Sequence, residues 1–208
     1  MLFRSVNHTD ANGCTAASAT SQSVTVNALP TPSFTAGSAS VCINSTGNVY
    51  TTQAGKTSYL WTISGGTITA GGAATDNSAT VTWTSTGSQS ISVNYTDANG
   101  CTAASATSQT VTVNALPTPT FTAAPTPVCL NSAGNVYTTQ AGKTSYVWTI
   151  SGGTITAGGS ATDNSATVTW TSAGSESISV NYTDANGCTA ASAASRSEER
   201  RVGKECRL

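Results

Sequence analysis

The sequence predicts an all-β protein made of tandem β-sandwich modules, and three observations carry that prediction. The 208-residue chain repeats itself at a spacing of 87 residues: Cys14, Cys101 and Cys188 keep that interval, as do Cys42 and Cys129, Trp61 and Trp148, and Trp83 and Trp170. A fixed period of this kind marks an array of structural units. Within each period Val, Ile and Trp alternate with Thr and Ser in short runs, which is how half-buried strands read. Good helix formers are scarce, since residues 6–195 hold two Lys, one Glu and no Met.

The repeat register begins at Val6, the counterpart of Val93, and stops at Ser195. The stretch Pro30–Ser108 returns at Pro117–Ser195 with twelve substitutions, among them Leu60 to Val147 and Gln89 to Glu176. This divides the chain into residues 1–5, foreign to the repeat; 6–29, the C-terminal end of a truncated module; 30–116, a complete module; 117–195, a second module lacking its last strand; and 196–208, a second foreign end. The genetic code relates the two foreign ends. Leu-Phe-Arg-Ser can be written CTC TTC CGA TCT, whose reverse complement, AGA TCG GAA GAG, reads Arg-Ser-Glu-Glu, the residues at 196–199. Both ends therefore read as one synthetic sequencing adapter translated on opposite strands, and such segments are set aside in reasoning about a fold. The chain is expected to be a fragment of a longer array.

Setting the ends aside changes the charge balance. Residues 6–195 carry two lysines against five aspartates and one glutamate, a net charge of −4. That body lacks the basic face that phosphate binding requires, so nucleic acid is not an expected partner. No apolar run approaches the roughly 18 residues of a membrane-spanning segment.

Taken in order, the elements are as follows. Val24–Asn27 closes a strand. Ala28-Leu29-Pro30-Thr31-Pro32, repeated at Ala115–Pro119, reads as a stiff junction between modules. A short strand is expected around Phe34. Gly37–Ser40 becomes Ala124-Pro125-Thr126-Pro127 in the second copy, and proline cannot donate to a ladder, so this segment is an edge or a loop. Asn48–Gln53 forms a second strand with Val49 and Thr51 on one face. In Ser58–Ile63, Tyr59, Trp61 and Ile63 share a face opposite Leu60 and Thr62. Gly65-Gly66 and Gly71-Gly72 mark turns around a short strand at Thr67–Thr69. Ala79–Thr84 alternates, with Val81 and Trp83 inward and a row of hydroxyls (Thr80, Thr82, Thr84) outward. Ser88–Tyr95 continues the pattern through Ile91, Val93 and Tyr95. Asp97-Ala98-Asn99-Gly100 carries Asn-Gly, a strong hairpin cue, and Val111 and Val113 sit on the last strand. About seven strands with turns every 8–12 residues is the pattern of an immunoglobulin-like sandwich.

The segments Val41-Cys42, Tyr59–Gly66, Val81-Thr82-Trp83 and Val93–Cys101 resemble the PKD-like and Ig-like repeats of large bacterial surface and secreted proteins. Trp-Thr-Ile-Ser-Gly-Gly and Asn-Gly-Cys are the more specific parts, and the resemblance covers residues 6–195. It implies export, β-sandwich modules and a tandem array, in adhesins or beside secreted enzyme domains, and it brings no catalytic residues.

The cysteines fall two to a module, with Cys14 left over and Cys206 in the foreign tail. Without a nearby His they do not suit zinc, which takes about four clustered N/S ligands. They suit disulfides in an oxidising compartment. The expected pairs are Cys42–Cys101 and Cys129–Cys188. Cys42 and Cys101 can lie at opposite ends of a sandwich, however, and a bridge needs Cα atoms within about 7 Å. A bond from one module's Cys42 to the next module's Cys188, and free buried thiols, stand as alternatives.

No chemistry assembles elsewhere. His8 is the only histidine, and Tyr95 and Tyr182 hold its place in the other copies. Trp61, Trp83, Trp148 and Trp170 read as core residues rather than as a sugar-stacking platform. Asp76, Asp97 and Asn99 are too few for calcium, which takes six to eight oxygens, and read as turn formers. Asn94-Tyr95-Thr96 and Asn44-Ser45-Thr46 match a glycosylation sequon; the second is lost in the other copy, and composition accounts for both. No Ser–His–acid set and no phosphate loop is present. The expectation is a non-enzymatic spacer or stalk repeat of an extracellular or cell-surface protein, such as an adhesin. Its partners would be neighbouring modules, and a surface glycan or protein would be met by domains outside this stretch. No cofactor and no catalytic or metal site is expected. The alternative is a glycan-binding accessory module of a secreted hydrolase, which requires an aromatic side chain facing solvent.

Overall fold

The computed structural model describes residues 2–126 and 128–199. Cys206 and the basic cluster around it, like Met1, lie outside the described residues. All regular structure in the described residues is β. Strands β1 (Leu2–Val6) and β2 (Thr20–Val24) form a two-stranded ribbon. The first complete module contains β3 (Phe34–Ala36), β4 (Ser40–Cys42), β5 (Asn48–Thr52), β6 (Thr57–Ile63), β7 (Gly66–Gly71), β8 (Ser78–Trp83), β9 (Gly87–Thr96) and β10 (Thr107–Asn114). One sheet has the order β4-β10-β9-β6 and the other β3-β5-β8-β7. The second module repeats the pattern with β11 (Phe121–Ala123), β12 (Asn135–Thr139), β13 (Thr144–Ile150), β14 (Gly153–Gly158), β15 (Ser165–Trp170), β16 (Ser175–Thr183) and β17 (Ala194–Glu199). Its sheets run β11-β12-β15-β14 and β13-β16-β17.

The segment with variable proline content is where the chain changes sheets. β3 pairs antiparallel with β5, and after the loop at Gly37–Ala39 β4 pairs parallel with β10. This edge position is the one that tolerates Pro125 in the second copy, where among the described residues no strand corresponds to β4.

Alternation sorts the side chains as the pleat requires. Tyr59 and Trp61 on β6, Ala79, Val81 and Trp83 on β8, Ile91, Val93 and Tyr95 on β9, and Val111 and Val113 on β10 are buried in one cluster, while Leu60 is exposed. On β5 Val49 and Thr51 share a face, as expected; that face is the outer one, with Val49 exposed, and Tyr50 and Thr52 face the core. The reason is a polar chain within the core. The Trp83 indole N–H donates to the Tyr50 hydroxyl (3.2 Å), which donates in turn to the Ser38 carbonyl (3.1 Å). The Thr52 hydroxyl donates to the Ser33 carbonyl (2.7 Å). Buried polar groups are tolerated when paired in this way.

The Asn-Gly segment forms the expected hairpin turn. Gly100 N–H donates to the Asp97 carbonyl (3.1 Å), Asp97 N–H to the Cys101 carbonyl (2.9 Å), and only Gly100 takes a left-handed φ, +77°. This is a three-residue loop closed by a left-handed glycine. The Asp97 carboxylate holds it by accepting from the N–H groups of Asn99 (2.9 Å) and Cys101 (3.0 Å).

The second module does not end without its last strand. Ala194–Glu199 fills that place, in the register of Thr107–Thr112 on β9. Ladder bonds are made by the backbone, so residues foreign to the repeat can complete them. In the sequence, Glu198 stands in the position of Val111. Among the described residues the core of the second module forms two clusters, one around Tyr137, Trp170 and Ile178 and one of Tyr146, Val180 and Tyr182, with Phe121 and Trp148 packed against both.

Candidate functional site at the module junction

The ends of β10 define two poles of the first module. Asn114, its last residue, hands the chain to the Ala115–Pro119 junction, and Cys42 is its parallel partner. Cys42 therefore sits at the pole where the chain leaves. The Asp97–Cys101 hairpin precedes β10 and sits at the other pole. There the Tyr95 hydroxyl donates to the Thr31 carbonyl of the incoming junction (3.3 Å), and the Lys56 ammonium lies 5.8 Å from the Tyr95 ring centroid, within cation–π range. Leu29–Pro32 and Ala104–Thr107 line a groove of about 300 Å³ at this pole. The second module repeats each feature: Tyr182 donates to Thr118 (3.3 Å), Lys143 lies 5.8 Å from the Tyr182 ring, and Leu116–Pro119 faces Ala191–Ala193.

This polarity corrects the expected cysteine pairing. An eight-residue strand such as β10 spans about 25 Å at ~3.3 Å per residue, far beyond the reach of a disulfide. Cys42 and Cys101 stand at its two ends, and they do not bond. Cys42 is bonded instead to Cys188, with Cα atoms 5.6 Å apart across a sequence separation of 146. Exit pole meets incoming pole, so the bond spans the junction. Cys129 is also disulfide-bonded, but not to Cys188 as expected. Cys14 and Cys101 are free thiols, the first exposed and the second half-buried. The junction is also a packed contact. Cys188 is 0% exposed, Pro119 is buried and Leu116 is half-buried, whereas the uncovered copies Cys101 and Pro32 are half-buried and Leu29 is 55% exposed.

The other singled-out residues occupy structural positions. Trp83 and Trp170 are fully buried and Trp61 nearly so. Trp148 is half-buried, and its indole N–H donates to the Asp163 carbonyl (3.0 Å), as Trp61 does to Asp76 (3.0 Å). Tyr95 is buried, and no Trp, Tyr or Phe whose exposure is described faces solvent fully. His8 is exposed just beyond β1, and its backbone N–H donates to the Asn7 side-chain oxygen (2.9 Å). Asp97 and Asn99 hold the hairpin. Asp76 accepts from the Ala73 N–H (3.0 Å) within its own turn. In the second copy Ser160 replaces Ala73, and its hydroxyl and N–H, both donating to Asp163, hold that carboxyl below its ordinary range. Among the described residues no three His, Cys, Asp or Glu side chains cluster as metal ligands, and no helix is long and apolar enough to cross a membrane.

Sequence reasoning raised the opposite-pole problem but could not locate the poles. The parallel pairing of β4 with β10 puts Cys42 at the exit, and no local pattern in a three-residue strand signals that pairing.

The sequence profile of the PKD-like domain matches residues 28–113 and again residues 115–197. A comparison with curated proteins finds none that matches. Among solved structures the chain is similar to the fibronectin(III)-like modules of Clostridium thermocellum CbhA, at 15% identity, covering 80% of this chain and 92% of that one, with a TM-score of 0.36. It is similar to the D00-D0 domain of intimin, at 11% identity over 81% and 97% of the two chains, with a TM-score of 0.37. Bacteroides ovatus SGBP-B, solved in complex with a mixed-linkage heptasaccharide, matches at 14% identity over 76% and 45%, with a TM-score of 0.30.

Proposed function

Because this chain belongs to the PKD-like domain family through two successive domains, we propose that it serves as a non-enzymatic spacer in an extracellular or cell-surface stalk. The observation that carries the reading is the junction. Each module receives the chain at one pole and releases it at the other, and the contact between poles is packed and covalently bonded. Repeated, such a contact makes a rod rather than a globule. The near-identity of the copies supports this, because a repeated contact needs a repeated surface. The bonded cysteines suit an oxidising compartment outside the cytosol, and display of an adhesive domain would use the stalk's length.

Solution scattering on arrays of two, three and four modules tests the reading. The maximum dimension is expected to rise by a constant increment per module. A dimension that stays level as modules are added would refute the spacer. The glycan-binding alternative has no observation in its favour, since the rings it would use, Trp83 and Tyr95, are buried.

A further inference from the structure

The bonded pair is made of two positions that recur in every module. Cys42 is repeated by Cys129, and Cys188 repeats Cys101, each at the 87-residue spacing. Cys101 closes the same hairpin in its module as Cys188 does, with the same Asp cap: their N–H groups donate to the Asp97 and Asp184 carboxylates, at 3.0 and 2.9 Å. What differs is the cover. Cys188 has a module in front of it and is fully buried; Cys101 has in front of it only residues 6–29, which repeat the last hairpin of a module and not the segment that carries its first cysteine.

We infer that the Cys42–Cys188 bond is one rung of a continuous covalent ladder, in which the first cysteine of each module bonds the hairpin cysteine of the next. Cys101 is then the receiving site for the first cysteine of a preceding PKD-like module. Forming each rung removes two protons and two electrons from two thiols and makes one S–S bond. A small disulfide oxidant of the oxidised-glutathione class accepts the electrons and is cleaved to two thiols.

The ladder has a mechanical consequence. Pulled from its ends, an oxidised array transmits force from Cys42 directly to Cys188 and leaves the chain between them slack. The shortest covalent path then runs through the stretch equivalent to Cys101–Cys129, 28 residues long, and crosses the next rung. Only 28 of every 174 residues, two full periods, lie on that path, so even unfolded modules cannot lengthen the array far. This consequence rests on the spacer reading; the connectivity does not.

The test inserts one extra copy of residues 30–116 ahead of Pro30 in the full chain. The inserted copy carries Thr46→Ala and Thr107→Ala, the residues of the second copy, as mass labels. After oxidative refolding, free thiols are alkylated and disulfide-linked peptides are mapped without reduction. The expected result joins the inserted copy's first cysteine to Cys101, keeps Cys42–Cys188, and leaves the inserted copy's hairpin cysteine alkylated beside Cys14. Cys101 bonded to Cys42, or still alkylated in the longer chain, would overturn the ladder. Should the longer chain not refold, the original chain decides by pulling between handles at residues 28 and 195. With a separation of 146 residues at roughly 3.4 Å each, reduction should release about 500 Å of additional contour. Equal extension in oxidised and reduced chains refutes the rung itself. Scattering on the reduced arrays reads the spacer separately: a length that stops rising with module number refutes the spacer, while peptide mapping alone decides the ladder.

Discussion

Tyr50 shows how a single side chain can order this core. Its hydroxyl accepts from the Trp83 indole and donates to Ser38, joining the buried face of β8 to the loop where the chain changes sheets. Tyr50→Phe removes the acceptor and leaves a buried indole N–H without its partner. That should cost on the order of 1–3 kcal/mol, read as a lower urea midpoint at unchanged m-value, and a variant as stable as the parent would show that the contact is idle. Tyr137→Phe should act alike in the second module through Trp170. The same burial has a pH signature. Burial pushes the Tyr50 phenol above its ordinary pKa, against the smaller opposite pull of the Trp83 donor, and burial also raises Tyr95 and Tyr182. A folded tyrosine with a raised pKa keeps its proton while the unfolded chain loses its own, so this source of stability is whole below about pH 10 and declines above it. Denaturant midpoints should therefore hold level to about pH 10 and fall beyond it, together with a delayed rise of phenolate absorbance at 295 nm. A rise in stability over that range would contradict the assignment.

At the scale of the element, the last strand separates what the sequence could say from what it could not. Alternation in β6, β8 and β9 announced their inward faces, because burial on one side of a pleat leaves a period-two trace. In β5 the sequence paired Val49 with Thr51 on one face but did not say which face is inward: Tyr50 and Thr52 bring their own partners into the core, and polar pairing is decided by residues 12 to 33 positions away. β17 was not expected at all, since its composition leaves the repeat, yet ladder pairing asks only for extended backbone. Composition still has an energetic price in the second core. The first module unites Val111 and Val113 with its tryptophans in one cluster; in the second, Glu198 and Arg200 hold those sequence positions, the described residues form two clusters, and Trp148 is half-buried. The second module should therefore unfold first. With the junction bond reduced, thermal unfolding followed by hydrogen exchange should show amides of β13 and β16 opening before those of β6 and β9. Simultaneous opening would mean that the missing valines carry little of the core's stability.

For the whole molecule, the bond across the junction decides whether two modules behave as two. Nothing in a single module would show it, because each half of the pair is satisfied only by the other module's pole; sequence periodicity displayed the cysteines but not which poles meet. Closing a 146-residue loop restricts the unfolded chain and should stabilise the folded pair by up to roughly 5 kcal/mol on the loop-entropy account. The effect falls on both modules at once, since either one unfolding alone remains tethered to its folded neighbour at Cys42 or Cys188. Oxidised chain is therefore expected to unfold at higher denaturant and over a narrower range. Reduced chain, or Cys42→Ser, should show two separated transitions, the less stable belonging to the second module. A Cys101→Ser variant is the control: its thiol is free in this chain, so its transition should overlay that of the oxidised parent. If Cys42→Ser unfolds as the parent does, the junction is held by packing of Leu116 and Pro119 alone. The rod would then owe its stiffness to apolar contact between poles and not to the covalent rung.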